Sequence, residues 1–128
     1  MWRRPGKRVF ESLTTLRQAG KRLVALSNSE GTVEALLQET GLAPFFETVI
    51  DSWVVGVAKP DPAIFSLALE RLGATKAEAV MVGDSMHHDI GGAQAFGMRA
   101  ALIDPFDRHP EASVPRFSDF AAFVTALL

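Results

Sequence analysis

Short apolar runs alternate along this chain with stretches of helical periodicity, and each run breaks off in small polar residues; few architectures accept that pattern. Val9, Phe10, Leu13 and Leu16 recur at helical spacing until Gly20 stops the helix. Arg22–Leu26 then reads as a strand ending at Ser27-Asn28-Ser29. A helix with Val33, Leu36 and Leu37 on one face is capped by Gly41, and Glu47–Asp51 reads as a second strand. Asp61 is suited to cap a helix that has Pro62 at its first position, buries Phe65, Leu69 and Leu72, and ends at Gly73. Thr75-Lys76-Ala77-Glu78 has the form of a capping box. Ala79–Val82 is a third strand, apolar without alternation, as in a parallel sheet buried on both faces. A helix over His88–Phe96 closes at Gly97, and Arg99–Ile103 is a fourth strand. A proline-rich loop, Asp104–Pro115, leads to a last helix capped by Ser118 that buries Phe120, Phe123, Val124 and Leu127. The expected fold is a three-layer α/β domain over residues 1–128, with a mainly parallel sheet of about four strands flanked by helices and right-handed crossovers.

Composition narrows the function classes. The chain has 128 residues and a net charge of −2, so its global charge recruits neither nucleic acid nor an anionic membrane. Met1–Arg8 is locally basic through Arg3, Arg4, Lys7 and Arg8; a solvated terminus is expected there in preference to a phosphate- or membrane-contacting arm. There is no cysteine, which excludes disulfides and cysteine-based zinc sites. No apolar run approaches the ~20 residues of a membrane span, and no apolar stretch follows the basic start as it would in a signal peptide. The expected location is cytoplasmic.

Polar residues gather just after the strands, at the edge where open parallel sheets bind ligands. Ser27-Asn28 puts a hydroxyl and backbone N–H groups near a helix start, which suits an anion or simply a helix cap. Lys59, in Gly56-Val57-Ala58-Lys59-Pro60-Asp61-Pro62, is either a solvated lysine or a rigidly placed point charge suited to a phosphate or a pair of carboxylates. In Gly83-Asp84-Ser85-Met86-His87-His88-Asp89 two acids bracket a turn. They suit Mg²⁺, which binds through one or two carboxylates and keeps several waters, or else a turn and a helix dipole. His87 and His88 invite a zinc proposal, but adjacent helical side chains diverge by about 100° and chelate one ion poorly.

The order and strand context of these clusters resemble the haloacid-dehalogenase-like (HAD) hydrolases, in the C-terminal part of their Rossmann-like core. Leu26-Ser27-Asn28 resembles the family's second motif, Gly56 to Phe65 its third, and Val82 to Met98 its fourth. Pro5-Gly6, a helix, then Leu16-Arg17-Gln18-Ala19-Gly20 resembles the way the core resumes after a helical cap. The resemblance implies phosphomonoester hydrolysis through an aspartyl-phosphate, on small phosphorylated substrates, with Mg²⁺ as cofactor. It implies that Ser27, with Asn28, binds the transferring phosphoryl group and that Lys59 neutralises charge. It further implies that Asp84 ligates the metal, with Asp89 orienting Lys59 or a metal-bound water.

The family's nucleophile motif, DxDx[TV], does not occur in this sequence; Asp104 and Asp107 are separated by Pro105-Phe106 and follow the last strand. By resemblance, the strand that carries the motif belongs between the strand ending at Ser27 and the strand ending at Gly83, and the cap precedes the first helix. Its absence would leave a gap of about 10 Å. Two outcomes are expected: the flanking strands close up by about 5 Å, or another chain fills the space. Two functions follow. One is a weak or promiscuous phosphatase in which Asp84, Asp89 or Asp51 activates water. The other is a non-catalytic fragment or subunit that docks to a partner chain. A homo-oligomer is expected, a dimer joined at the gap, with exchange of the helix Arg8–Ala19 as its route.

Overall fold

The structure is a computed structural model that describes residues 7–128; the basic segment and Pro5-Gly6 lie outside it, apart from the backbone of Lys7 and from Arg8, which pairs with Asp119 at 2.9 Å. The elements follow in the order α1 (Lys7–Gln18), β1 (Val24–Ser27), α2 (Val33–Glu39), β2 (Thr48–Asp51), α3 (Ser52–Val55), α4 (Pro62–Leu72), β3 (Val80–Gly83), α5 (Gly92–Phe96), β4 (Arg99–Ile103), β5 (Arg116–Phe117) and α6 (Phe120–Leu127). Short 3-10 turns cover Ala43–Phe45 and Lys76–Glu78. All strand pairs are parallel, as the unbroken apolar strands require.

Period two sorts each strand's residues between the layers. Val24 and Leu26 of β1, Ile50 of β2, Met81 of β3, and Ala100 and Leu102 of β4 pack on one face with Ile64, Phe65 and Leu69 of α4 and Ala93 of α5. On the other face, Val80 and Val82 of β3 and Ala101 of β4 meet Leu16 of α1 and Phe123 and Val124 of α6. Ala25 of β1 and Val49 of β2 meet Leu13 of α1 and Leu37 of α2. The three-layer α/β architecture is therefore as expected. Five strands form it rather than about four, because Arg116–Phe117, between the expected loop and the last helix, adds to β4.

The sheet is not continuous. β1 pairs only with β2, and β3 and β4 continue to β5 as a second sheet. The first expected outcome, β1 and β3 closing up onto one another, is not seen, since no ladder joins them. The expectation took the facing backbone groups to be buried. All four residues of β1 are only half-buried, as are Val80, Val82 and Gly83 of β3, so water reaches these edges and the full cost of a buried, unpaired amide does not arise. Helices on both faces tie the two sheets together, since α1 packs on both through Leu13 and Leu16. Those two side chains are 3% exposed.

Candidate functional site

β1, β2, β3 and β4 bring Ser27, Asp51, Gly83 and Asp104 to or just past their carboxyl ends. Lys59 arrives from the α3–α4 connection and is the hub. Its backbone is clamped by the Asn28 side chain: Asn28 Nδ2 donates to the Lys59 carbonyl at 2.9 Å, and the Lys59 N–H donates to Asn28 Oδ1 at 2.8 Å. Its ammonium donates to the Leu26 carbonyl at 3.0 Å and to Asp89 Oδ1 at 2.6 Å. The two side chains are 10% and 7% exposed, so the pair is nearly out of water and its geometry is fixed.

Asp89 reaches Lys59 because the chain opens into a wide turn after β3. The Ser85 carbonyl accepts from both Asp89 and Ile90 N–H, at 3.0 and 3.1 Å, and Met86–Gly91 forms a π-helical turn. Such turns are frequent at functional sites. The expected helix from His88 therefore begins only at Gly92. Asp89 Oδ2 accepts from the Ser85 N–H at 3.1 Å. The carboxylate lies against Gly83 so tightly that a Cβ there would fall 2.1 Å from Oδ2, which is why the strand must end in glycine. Gly92 is needed likewise: a Cβ would meet the Phe65 ring at 2.7 Å, where α5 crosses α4.

Four of the five residues expected from the sequence are thus placed together: Asn28 and Ser27 are adjacent, and Asn28, Lys59 and Asp89 are linked by hydrogen bonds. Asp84 is exposed and, among the described residues, makes no side-chain hydrogen bond or ion pair. Ser27 is half-buried, and its hydroxyl likewise has no partner there. A free carboxylate and a free hydroxyl beside a fixed ammonium can receive a cation and an anion respectively. No group of three His, Cys, Asp or Glu residues comes together among the described residues, so His87 and His88, whose rings meet edge-on at 4.8 Å, do not complete a zinc site. Mg²⁺ demands less, one or two carboxylates and waters, and Asp84 fits it. Both oxygens of Asp89 are already engaged, which leaves it Lys59's partner and at most a ligand through water.

Asp51 is the residue whose part was misjudged. It is 4% exposed and accepts from four donors: Ser29 Oγ at 3.0 Å, Gly31 N–H at 3.0 Å, Val33 N–H at 3.3 Å and Trp53 N–H at 3.0 Å. Burial alone would raise its pKa, but the donations from Val33, Trp53, Ser29 and Gly31 outweigh it and hold the carboxyl below its ordinary value. With its oxygens so occupied it organises the loop after Ser27 rather than activating water. Ser52 adds to the same tie, accepting from the Ser29 N–H at 2.9 Å and donating to the Ser29 carbonyl at 3.0 Å. An Asp-Ser pair at a strand end, with N–H groups following, was the available signal for this cap. Asp104 does the same for the loop after β4, accepting from Arg108 and His109 N–H at 3.0 and 2.9 Å and from Arg116 at 3.1 Å.

A Rossmann-like core with a lysine–aspartate pair between two strand ends defines a class, and comparison with known proteins specifies it. Residues 7–97 match the family model of haloacid dehalogenase-like hydrolases, and the chain belongs to that family. It is 40% identical over 111 residues to a phosphoserine phosphatase of Thermus thermophilus, covering 80% of this chain and 44% of that protein. A HAD phosphatase from Thermococcus onnurineus superposes with a TM-score of 0.89 at 32% identity, covering 95% of this chain and 57% of that one. YfnB from Bacillus subtilis, solved bound to magnesium, superposes at 0.81 with 27% identity, covering 92% of this chain and 54% of that one. The chain spans less than half the length of the first curated relatives it matches.

Proposed function

We propose that this chain carries a phosphomonoester-hydrolysing site of the HAD type, acting on small phosphorylated substrates. The observation that carries this is Lys59, a nearly buried ammonium held between the Leu26 carbonyl and Asp89, with a Ser27 hydroxyl and an Asp84 carboxylate at the same edge that have no partner among the described residues. The Ser27 hydroxyl binds a phosphoryl oxygen, and Lys59 neutralises the phosphoryl charge. Asn28 and Asp89 position Lys59. Asp84 is the residue that would hold Mg²⁺, which supplies charge compensation to the phosphoryl group when bound. Positioning and charge stabilisation make up most of the catalysis of phosphoryl transfer.

This sequence holds no DxDx[TV] aspartate, so turnover by the 128-residue chain is weak and promiscuous; sites without their nucleophile retain on the order of 10³–10⁴-fold over water. Initial rates on p-nitrophenyl phosphate, with and without EDTA, test the proposal. Magnesium-dependent release that falls at least tenfold in Asp84→Ala is expected. Release indifferent to both EDTA and Asp84→Ala would refute the assignment. A second reading, a non-catalytic subunit that docks to a partner chain, is favoured by the division of the sheet. A homo-oligomer in the cytoplasm completes the proposal. Self-association is supported by the exposed Trp53, Val54 and Phe106 side chains and tested by light scattering. Among the described residues no helix is long and apolar enough to cross a membrane.

A further inference from the structure

Hydrolysis at this edge needs a group to attack phosphorus, and the serines there differ in what stands beside them. Ser27 Oγ has no partner among the described residues, so no base is at hand to take its proton. Ser29 Oγ donates to Asp51 at 3.0 Å, but that carboxyl is held below its ordinary value and is a poor proton acceptor. Ser52 Oγ is closed between the Ser29 N–H and the Ser29 carbonyl. Ser85 alone of these four lies beside an imidazole: its Oγ is 3.1 Å from His88 Nδ1. The same oxygen accepts from the His88 N–H at 3.0 Å. The tautomer that satisfies both groups therefore carries its hydrogen on Nε2 and leaves Nδ1 to accept from Oγ. The wide turn Met86–Gly91 brings His88 back over Ser85, and the His87 ring, edge-on at 4.8 Å, restricts the rotation of the His88 ring. Ser85 is half-buried and His88 exposed, so a substrate reaches the pair from solvent. The pair also belongs to the edge that holds Lys59. A single carboxylate, Asp89, accepts from the Ser85 N–H at 3.1 Å and from the Lys59 ammonium at 2.6 Å.

We propose that Ser85 is the nucleophile of this chain and His88 its general base, a pair that hydrolyses phosphomonoesters through a phosphoserine. This assignment rests on the hydrolytic function proposed above and adds the attacking group to it. Ser85 Oγ bonds to phosphorus while the bond from phosphorus to the leaving oxygen breaks. The Oγ proton passes to His88 Nδ1, and the leaving oxygen carries away the electron pair. Water then displaces Ser85 Oγ from phosphorus, one water proton passing to solvent and His88 returning its proton to Oγ. A hydroxyl within hydrogen-bond reach of an imidazole is the arrangement that activates a serine. Among the described residues no carboxylate pairs with His88, so the imidazolium lacks the support that a triad gives and turnover stays slow.

The test uses the full 128-residue chain with p-nitrophenyl phosphate and Mg²⁺, reading both p-nitrophenolate release and the mass of the acid-quenched protein. Wild type is expected to gain one phosphoryl group, placed on Ser85 by peptide fragmentation and stable to neutral hydroxylamine. Ser85→Asn keeps a capping side chain without a hydroxyl, so it should unfold at the wild-type urea midpoint. It should nevertheless lose the adduct and at least about tenfold in release. Ser85→Thr, which restores a hydroxyl, should retain both. His88→Ala should slow release by at least about tenfold, while inorganic phosphate still shifts the amides of residues 27 and 59 as in wild type. Release at the wild-type rate in Ser85→Asn overturns the nucleophile and leaves the hydrolytic function standing. Unchanged release in His88→Ala overturns the base. An adduct cleaved by hydroxylamine, as an acyl phosphate on Asp84 would be, overturns the proposal. Loss of release in Ser85→Asn with no adduct in wild type makes Ser85 a positioning residue and equally overturns it. A wild-type chain that gives neither release nor adduct overturns the nucleophile and the hydrolytic function together.

Discussion

Replacing Asp89 with alanine should destabilise the protein far more than replacing its neighbour in sequence, Asp84. Asp89 and Lys59 are 7% and 10% exposed, and their contact is 2.6 Å. Truncation leaves the ammonium with the Leu26 carbonyl alone and also orphans the Ser85 N–H. Breaking one side of a buried pair costs about 3–5 kcal/mol, because the surviving charge stays desolvated. The half-buried edges of β1 and β3 let water approach, which favours the lower end, about 3 kcal/mol. For a chain of 128 residues that corresponds to roughly 10 °C in melting temperature. The exposed Asp84, without a partner among the described residues, should change stability by less than about 0.5 kcal/mol on truncation. The double variant Lys59→Met with Asp89→Leu should recover more than half of the loss, since removing both charges removes the cause. Urea unfolding at constant slope measures all four proteins. Equal midpoints for Asp89→Ala and Asp84→Ala would refute the claim that Lys59 is held by a buried ion pair.

Asp51→Asn should cost about 2–3 kcal/mol at neutral pH, because an amide cannot accept all four donations. The Asp51 carboxyl is held below its ordinary value, so its stabilisation is fully present above the unfolded value and is lost as pH falls through the folded one. The stability curves of wild type and variant should therefore converge below about pH 4; a gap that stays constant into acid would count against the network. Gly83→Ala should push the Asp89 carboxylate off Lys59 and cost nearly as much as Asp89→Ala, since its Cβ would sit 2.1 Å from Oδ2. Non-additive energies in the double variant Gly83→Ala with Asp89→Ala would confirm that the two act at one contact, and simple additivity would deny it.

Features fixed by local chemistry could be read from the residues. Arg99–Ile103 is a strand with the bounds expected, Asp61 caps α4 with Pro62 at its start, and Gly73 and Gly97 take positive φ at helix ends. Glu78 accepts from the Thr75 N–H at 2.9 Å, the bond the capping-box pattern implies. The last helix is capped by Asp119, not Ser118, its side chain accepting from Ala122 N–H at 2.8 Å; two adjacent residues that cap well leave the position open by one. Lys59 and Asp89 could be picked out from their motifs, and the resemblance implied that Asp89 orients Lys59 or a metal-bound water; the π-helical turn that brings the carboxylate to the lysine is what no periodicity encodes. Asp51 was hidden for a related reason. Its four donors lie between residues 29 and 53, and only the folded loop brings them together. The division of the sheet between β1 and β3 was not legible, because it turns on how far water reaches two strand edges.

Amide chemical-shift mapping of the chain, titrated with inorganic phosphate in the presence of Mg²⁺, bears most directly on the proposed site. Shifts should concentrate at residues 27–31, at 59 and at 83–89, and the response at 83–89 should disappear in Asp84→Ala. Shifts centred instead on the apolar cavity of about 420 Å³ lined by Val80, Met98, Pro115, Phe117 and Phe123, or spread evenly over the surface, would contradict the assignment of the strands' carboxyl edge to phosphate.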